Sequence, residues 1–208
     1  LVPEKQKLLW PLHILAHPFS GLSDVKYENK GSLTVANGIL LLLFLSNVLR
    51  FFGTGYLFNM ERFDRFNIFL ELFYSVFLIL LWTISNWSVS TLMDGEGKLR
   101  EIWIATNYAL VPLLLFRTVN IVLSNVLTFK ETMFLSLFDG VGLLWTGFLL
   151  LLGILIVHQY SVVKTLFVCF LTTVGIAAML FMAILFISVF QQMYGFMHTV
   201  CNELLGRT

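Results

Sequence analysis

Long apolar runs alternate with short polar stretches along the whole chain. Five of the runs are long enough to cross a bilayer as helices, which takes about 20 mainly apolar residues. Short connections between helices place neighbours antiparallel in one bundle. The pattern therefore predicts an all-α, polytopic membrane protein with a five-transmembrane-helix bundle, whose spans lie at about 34–54, 66–88, 103–127, 133–157 and 165–190.

Two segments flank this membrane domain of residues 34–190. Residues 1–33 mix apolar and polar positions, which favours a short helix in the headgroup plane with Trp10 and His17 as interfacial anchors. Pro11 is expected to bend or begin that helix, and Pro18 to end it before a loop. The tail, residues 191–208, is able to prolong the last helix beyond the bilayer. Because the chain begins at Leu1 and not at Met, we expect further residues to precede it.

Composition supports the membrane assignment and removes some alternatives. The chain is 58% hydrophobic and 12% charged, against about 25% charged residues in soluble domains. The net charge of +1 and the lack of a basic tract give no support to nucleic-acid binding. Cys169 and Cys201 have no CxxC partner, so we interpret both as packing residues.

The distribution of Lys and Arg indicates the orientation in the membrane. Five spans put the termini on opposite faces, and loops with more Lys and Arg stay in the cytoplasm. The N-terminal face carries seven of these residues and the other face four, which are Arg62, Arg65, Lys130 and Arg207. We therefore expect a cytoplasmic N-terminus and a C-terminus outside.

Four ionisable residues, Arg50, Glu71, Arg117 and Asp139, lie inside or at the ends of the apolar runs. Each costs about 2.5–3.5 kcal/mol or more at a helix centre facing lipid, so we expect all four to face the bundle interior. The alternating helix directions place them in the half of the bilayer opposite the N-terminal face. We predict a neutral cluster there, with Glu71 and Arg117 as its ion pair. The cluster either only fixes helix register or forms a polar site for a ligand or transported group.

The most polar break between spans is the stretch NWSVSTLMDGEGKLREIW, residues 86–103. A calcium loop starting at Asp94 needs a carboxylate at its twelfth position, which is Ala105, and a P-loop needs Ser or Thr after Gly97-Lys98. The stretch is better explained by a turn, in which Gly95 and Gly97 permit a tight reversal. Its charged residues form either a solvated turn or a docking loop, made of Asp94, Glu96, Lys98 and Arg100.

Candidate chemistry is sparse elsewhere. His13 and His17 have the i, i+4 spacing of a metal pair on a helix, but no third ligand lies near them in sequence. His158 and His198 are isolated. No nucleophile–base set is present, so we expect neither a metal, nor a cofactor, nor enzymatic activity. Pro112 is expected to kink the third span.

Several stretches together resemble the Yip1 family of membrane proteins in its bacterial branch. They are residues 17–32 (HPFSGLSDVKYENKGS), 52–59 (FGTGYLFN) and 86–112 (NWSVSTLMDGEGKLREIWIATNYALVP). The resemblance implies five helices, a cytoplasmic N-terminus and no agreed enzymatic activity. Bacterial relatives are often encoded beside carbohydrate ABC importers, which implies a place in the bacterial inner membrane beside importer permease subunits.

Two hypotheses follow for the function. The first is a non-enzymatic accessory or scaffold protein that docks beside the permeases of a carbohydrate ABC importer. The second is a transporter of a small molecule or lipid that uses Arg50, Glu71, Arg117 and Asp139 as its polar site. A water-accessible cavity that reaches Arg117 favours the second, and a dry, closed cluster favours the first.

Overall fold

The computed structural model describes residues 4–28, 30–58 and 66–205. The helices are α1 (Glu4–Ala16), α2 (Pro18–Tyr27), α3 (Leu33–Gly53), α4 (Ile68–Leu92), α5 (Leu99–Ala109), α6 (Val111–Ser124), α7 (Thr132–His158) and α8 (Val162–Leu205), with a short 3-10 turn at Phe129–Glu131 before α7. No strand occurs in these ranges. Arg62, Arg65 and Arg207, which enter the sidedness count, lie outside the described residues.

The prediction of an all-α bundle with five membrane spans is confirmed. The spans are Leu33–Gly53, Ile68–Leu92, Leu99–Ser124, Phe129–His158 and Val162–Asn202, each long and apolar enough to cross a bilayer. The third span is broken into α5 and α6 at Leu110. Pro112 follows this break and has no amide to donate to the carbonyl of Tyr108, so it interrupts the span as expected.

The loop predicted after Pro18 is wrong, because α2 occupies Pro18–Tyr27. Pro18 ends α1 but also opens α2, since the first turn of a helix tolerates proline. Gly21 allows α1 and α2 to touch: a Cβ there would lie 2.6 Å from Ile14 Cγ1. Helix α1 itself starts before Pro11 and contains it. Tertiary packing therefore outweighs the loop-like composition of this stretch.

The two N-terminal helices form a hairpin that joins the main core. Ile14, Leu22 and Val25 are buried in one hydrophobic cluster with residues of α3, α5, α6 and α7. Trp10 donates its indole N–H to the carbonyl of Gly21 at 3.1 Å, and the Lys30 ammonium lies 4.4 Å from its ring centroid. Trp10 therefore contacts Gly21 and Lys30 of the protein itself. The roles of Trp10 and of the exposed His17 as lipid anchors stay predictions.

Helix α8 packs mainly along α4 in its first half. The Ser85 hydroxyl donates to the carbonyl of Thr172 at 2.7 Å, and a Cβ at Gly175 would lie 2.4 Å from Ser85 Oγ. The helix then continues for 44 residues in all, through residues 191–205 of the predicted tail. At 1.5 Å per residue it is about 66 Å long, roughly twice the hydrocarbon core of a bilayer.

Candidate functional site

Polar side chains gather at both ends of the bundle. At the N-terminal face, the α4–α5 loop and the α7–α8 turn meet around His158; we call Asn86, Ser90, Gly97, His158 and Tyr160 the polar corner. At the opposite face, the ends of α3 and α6 and the start of α7 enclose a cavity, which we call the arginine cavity. The two regions differ in how far their polar groups are satisfied.

His158 is the centre of the polar corner and is only 1% exposed. Its Nδ1 accepts the amide N–H of Gly97 at 3.3 Å, and its Nε2 lies 3.1 Å from Asn86 Oδ1. Asn86 Nδ2 donates to Thr172 Oγ1, which identifies Oδ1 as the acceptor facing the ring. Because Nδ1 accepts, Nε2 carries the proton and donates to Asn86. His158 is thus held neutral in one tautomer and links three segments.

Ser90 completes the polar corner without forming a catalytic pair. Its Oγ lies 3.2 Å from His158 Nε2, but its hydroxyl donates to the carbonyl of Asn86. The adjoining cavity has a volume of about 10 Å³, which fits about one water molecule. This corner has no room for a substrate, and its polar groups bond to one another.

The backbone of the polar corner explains the two glycines of the DGEG turn. No described glycine has a positive φ; the left-handed residues are Asp94, with φ 54°, and Gln159, with φ 58°. A Cβ at Gly95 would lie 2.4 Å from the Tyr160 hydroxyl, and one at Gly97 would lie 2.6 Å from His158 Cε1. The turn itself is confirmed, but its glycines provide close approach to the two rings, and Asp94 makes the reversal.

Tyr160 packs against the His158 ring and the α4–α5 turn. Its ring stacks on His158 with centroids 5.3 Å apart, and its hydroxyl lies 3.2 Å from the carbonyl oxygens of both Ser90 and Met93. Burial raises the pKa of Tyr160 above its ordinary value. The phenol therefore remains protonated and keeps its donor toward the α4–α5 turn.

Lys26 ties the N-terminal hairpin to the same place. Its ammonium donates to the carbonyl of Val157 at 2.5 Å, in the last turn of α7, and lies 3.7 Å from Glu101 Oε2. A cation at a helix C-terminus is favourable because of the helix dipole. Glu101 also accepts the backbone N–H of Lys98 at 3.2 Å, which caps α5. The hairpin, the turn and the end of α7 thus form one assembly.

The four residues of the predicted docking loop, Asp94, Glu96, Lys98 and Arg100, are all exposed. They stand on the outer side of the polar corner, whose inner side is fixed by His158 and Tyr160. The loop therefore presents both signs of charge from a fixed backbone. Docking itself stays a prediction.

At the opposite end, the predicted Glu71–Arg117 ion pair is wrong. Arg117 Nη1 instead donates to Asn47 Oδ1, and Asn47 Nδ2 donates to Ser75 Oγ at 2.9 Å. Ser75 in turn donates to the backbone carbonyl of Glu71 at 2.8 Å. The ion pairs within 4.0 Å among the described residues join only Lys26 or Lys30 to carboxylates. Neutral amide and hydroxyl groups thus connect α6, α3 and α4 where a salt bridge was expected.

Three of the four predicted cluster residues share the arginine cavity. Arg50, Arg117 and Asp139 line it, and Glu71 does not. The cavity has a volume of about 200 Å³ and is completed by Thr54, Phe58, Asn120, Ile121, Ser124, Thr132, Leu135 and Ser136. Arg50 and Asp139 are exposed, and both line this cavity. The charged side chains of Arg50, Arg117 and Asp139 thus have polar surroundings in a cavity, where a closed cluster of ion pairs was expected.

Asn120 leaves one polar atom of the arginine cavity without a partner. Its Nδ2 donates to the carbonyl of Leu135 at 3.1 Å, which fixes the amide orientation. Its Oδ1 is buried and accepts no hydrogen bond. A buried acceptor without a donor costs about 1–3 kcal/mol. Asn107 Oδ1 and Thr146 Oγ1 are also buried without a partner, but of the three residues only Asn120 lines the arginine cavity.

Metal binding finds no support in the part of the chain that the structure describes, where no three His, Cys, Asp or Glu residues could hold an ion. His13 and His17 stack at 5.1 Å between ring centroids. Cys169 is half-buried and Cys201 is exposed, and both are free thiols.

Sequence reasoning missed His158 and Asn86 as organising residues and did not assign Asn47 as the partner of Arg117. Each is a polar residue within or at the edge of an apolar run, which is the available signal, since such groups need a partner in a membrane. The partners lie far away in sequence: His158 is 61 residues from Gly97, and Asn47 is 70 residues from Arg117. Only the three-dimensional arrangement identifies these pairs.

The five apolar spans and the short connections between them define a multi-pass α-helical membrane protein. The model of the Yip1 domain family matches residues 12–190, from the middle of α1 into α8, and the chain belongs to that family. No curated protein and no solved structure matches the chain. The family match includes both the polar corner and the arginine cavity.

Proposed function

We propose that this protein is a non-enzymatic accessory or scaffold subunit that docks beside another membrane protein through its N-terminal face. The single observation that carries the proposal is the exposed loop of Asp94, Glu96, Lys98 and Arg100, mounted on the buried polar corner. A rigid backbone lowers the entropy lost when a surface binds a partner. Charges of both signs on that backbone favour one register over others.

The construction of this face supports a docking role over a simple turn. A turn needs only a short reversal, yet here the left-handed Asp94 and two close-approach glycines shape the loop, and Lys26 lies 3.7 Å from Glu101 just after it. Left-handed non-glycine residues cost free energy and persist where the surroundings impose them. This cost in free energy is explained if the loop must keep one backbone conformation to bind a partner.

For the partner, we propose the permease subunits of a carbohydrate ABC importer in a bacterial inner membrane, with this face in the cytoplasm. The family resemblance motivates that choice, and the seven-to-four distribution of Lys and Arg supports the orientation. Such a role needs no catalytic residues, which agrees with the proposed lack of enzymatic activity.

Affinity purification of the full chain in mild detergent tests the proposal. We expect importer permeases to co-purify with the native chain and to be reduced at least tenfold with the double variant Glu96→Lys/Arg100→Glu, since like charges brought together at a docking surface cost several kcal/mol. Lys130→Glu, an exposed charge reversal at the opposite face, is the matched control and should retain the partner. Undiminished recovery with the double variant would remove the docking role.

The arginine cavity supports a second candidate function, the handling of a small molecule or lipid. Its specific support is the buried, unpartnered Asn120 Oδ1 beside the charges of Arg50, Arg117 and Asp139. A cavity that combines hydrogen-bond donors and acceptors in this way is suited to bind a polar molecule.

A further inference from the structure

The helix ends around the arginine cavity indicate its depth in a bilayer. Its rim is formed by helix ends: Thr54 follows α3, Ser124 ends α6 and Thr132 begins α7. Arg117 and Asp139 are each seven residues inward from these ends, which is about 10 Å at 1.5 Å per residue. The headgroup regions occupy about 5–7 Å on each side of the hydrocarbon core, so the cavity spans the boundary between headgroups and acyl chains.

The donors of the arginine cavity suit a phosphate. A guanidinium has five N–H donors, and Arg117 uses one of them on Asn47. Arg50 forms no ion pair with any described residue. Two guanidinium groups around one cavity are a common arrangement for phosphate oxygens, which they bind with charge-assisted hydrogen bonds.

The acceptors of the same cavity suit an ammonium group. Asp139 is exposed to the cavity and forms no ion pair within the described ranges. Asn120 contributes the buried Oδ1 that has no donor. A purely anionic molecule would satisfy the arginines but would be repelled by Asp139, whereas a zwitterion satisfies both groups.

We propose that the arginine cavity binds the phosphoethanolamine-type headgroup of a phospholipid, its phosphate at Arg50 and Arg117 and its ammonium at Asp139 and Asn120. The volume of about 200 Å³ is below the roughly 300–1,000 Å³ of sites for drug-sized ligands. It therefore takes a headgroup and excludes an oligosaccharide. Phe58, Ile121 and Leu135 give the cavity an apolar part of its lining, which suits the start of acyl chains. This inference deepens the second candidate function and rests on it.

Native mass spectrometry of the full chain, purified with equal amounts of phosphatidylethanolamine, phosphatidylglycerol and phosphatidylcholine, tests the inference. We expect one phosphatidylethanolamine to be retained in preference to the others. Arg50→Gln should reduce its retention about tenfold, as expected for loss of a hydrogen bond to a charged group, and Arg50→Lys should restore part of it. Asp139→Asn should abolish the preference for phosphatidylethanolamine over phosphatidylglycerol.

Matched controls come from the opposite face of the bundle. Arg100→Gln and Asp94→Asn remove the same charges from exposed positions and should leave retention unchanged. Soluble glycerophosphoethanolamine, added in excess, should displace the lipid if the headgroup alone is recognised. Equal retention of the three lipids, a preference for phosphatidylglycerol, or no displacement by the soluble compound would each overturn the inference.

A liposome transport assay separates this inference from the second candidate function. Headgroup preference without lipid movement keeps the binding site and removes the transporter role. Lipid movement without headgroup preference keeps the transporter role and removes the inferred ligand.

Discussion

The two polar ends of the bundle use similar residues in opposite ways. In the polar corner, His158, Asn86 and Ser90 are each at most 1% exposed, and they bond to one another or to backbone groups. In the arginine cavity, Arg50 and Asp139 are exposed and Asn120 Oδ1 has no donor. The first region satisfies its own polar groups, whereas the second leaves one buried acceptor without a donor.

This difference bears on function because satisfied and unsatisfied polar groups have different consequences. A closed network of hydrogen bonds stabilises one backbone arrangement, because the loss of any one group leaves its buried partner without a hydrogen bond. Donors and acceptors without partners add little to the stability of the fold, but they can still form hydrogen bonds with a ligand. The chain thus has a closed polar network at one end and an open set of donors and acceptors at the other, which is why we propose a contact face for the first and a ligand site for the second.

Removal of His158 should have the largest effect on stability. His158→Ala deletes a buried ring and leaves Gly97 N–H and Asn86 Oδ1 without partners, so we expect a loss of about 3–5 kcal/mol. The measurement is thermal unfolding in detergent followed by tryptophan fluorescence. His198→Ala, at an exposed position of α8, is the matched control and should change stability by less than about 0.5 kcal/mol. Equal effects of the two variants would mean that the polar corner does not stabilise the fold.

The fold was largely predictable from the sequence because lipid imposes a strong pattern on spanning helices. The five spans were located to within a few residues, except that the last one continues from Val162 to Asn202. The N-terminal hairpin was not predicted, since α2 contains Gly and Ser and begins at proline. Its stability comes from burial of Leu22 and Val25 against distant helices, which local composition does not record.

The candidate sites were predictable only in part. The charges at Arg50, Arg117 and Asp139 were identified because intramembrane ionisable residues are rare and costly. Their partners were assigned on the principle that opposite charges pair, and the structure instead gives Arg117 the neutral Asn47. The polar corner was missed for a related reason: the role of the DGEG glycines depends on His158 and Tyr160, which lie some sixty residues further along the chain.

A smaller effect should follow from filling the space beside His158. In Gly97→Ala the new Cβ would lie 2.6 Å from both His158 Cε1 and Val157 Cγ1, so we expect a loss of about 1–3 kcal/mol from overpacking. Gly140→Ala, where a Cβ would meet nothing within 4 Å, should be neutral or stabilising because alanine favours helix. Unfolding temperatures of the two variants in the same detergent provide the measurement. A tolerated Gly97→Ala would show that the turn is not held against the ring.

The smallest effects concern Arg117 of the arginine cavity. They distinguish Asn47, its hydrogen-bond partner in the structure, from Glu71, the partner that the sequence predicted. Asn47→Leu removes the acceptor of the guanidinium and breaks the link to Ser75, so we expect a loss of about 1–2 kcal/mol. Glu71→Gln should cost less than about 0.5 kcal/mol, because Glu71 forms no ion pair among the described residues. Chemical unfolding of both variants, with the double variant to measure coupling, tests this order. If Glu71→Gln were the more damaging change, Arg117 would depend on the carboxylate after all, and the arginine cavity would resemble the closed polar corner more than an open site.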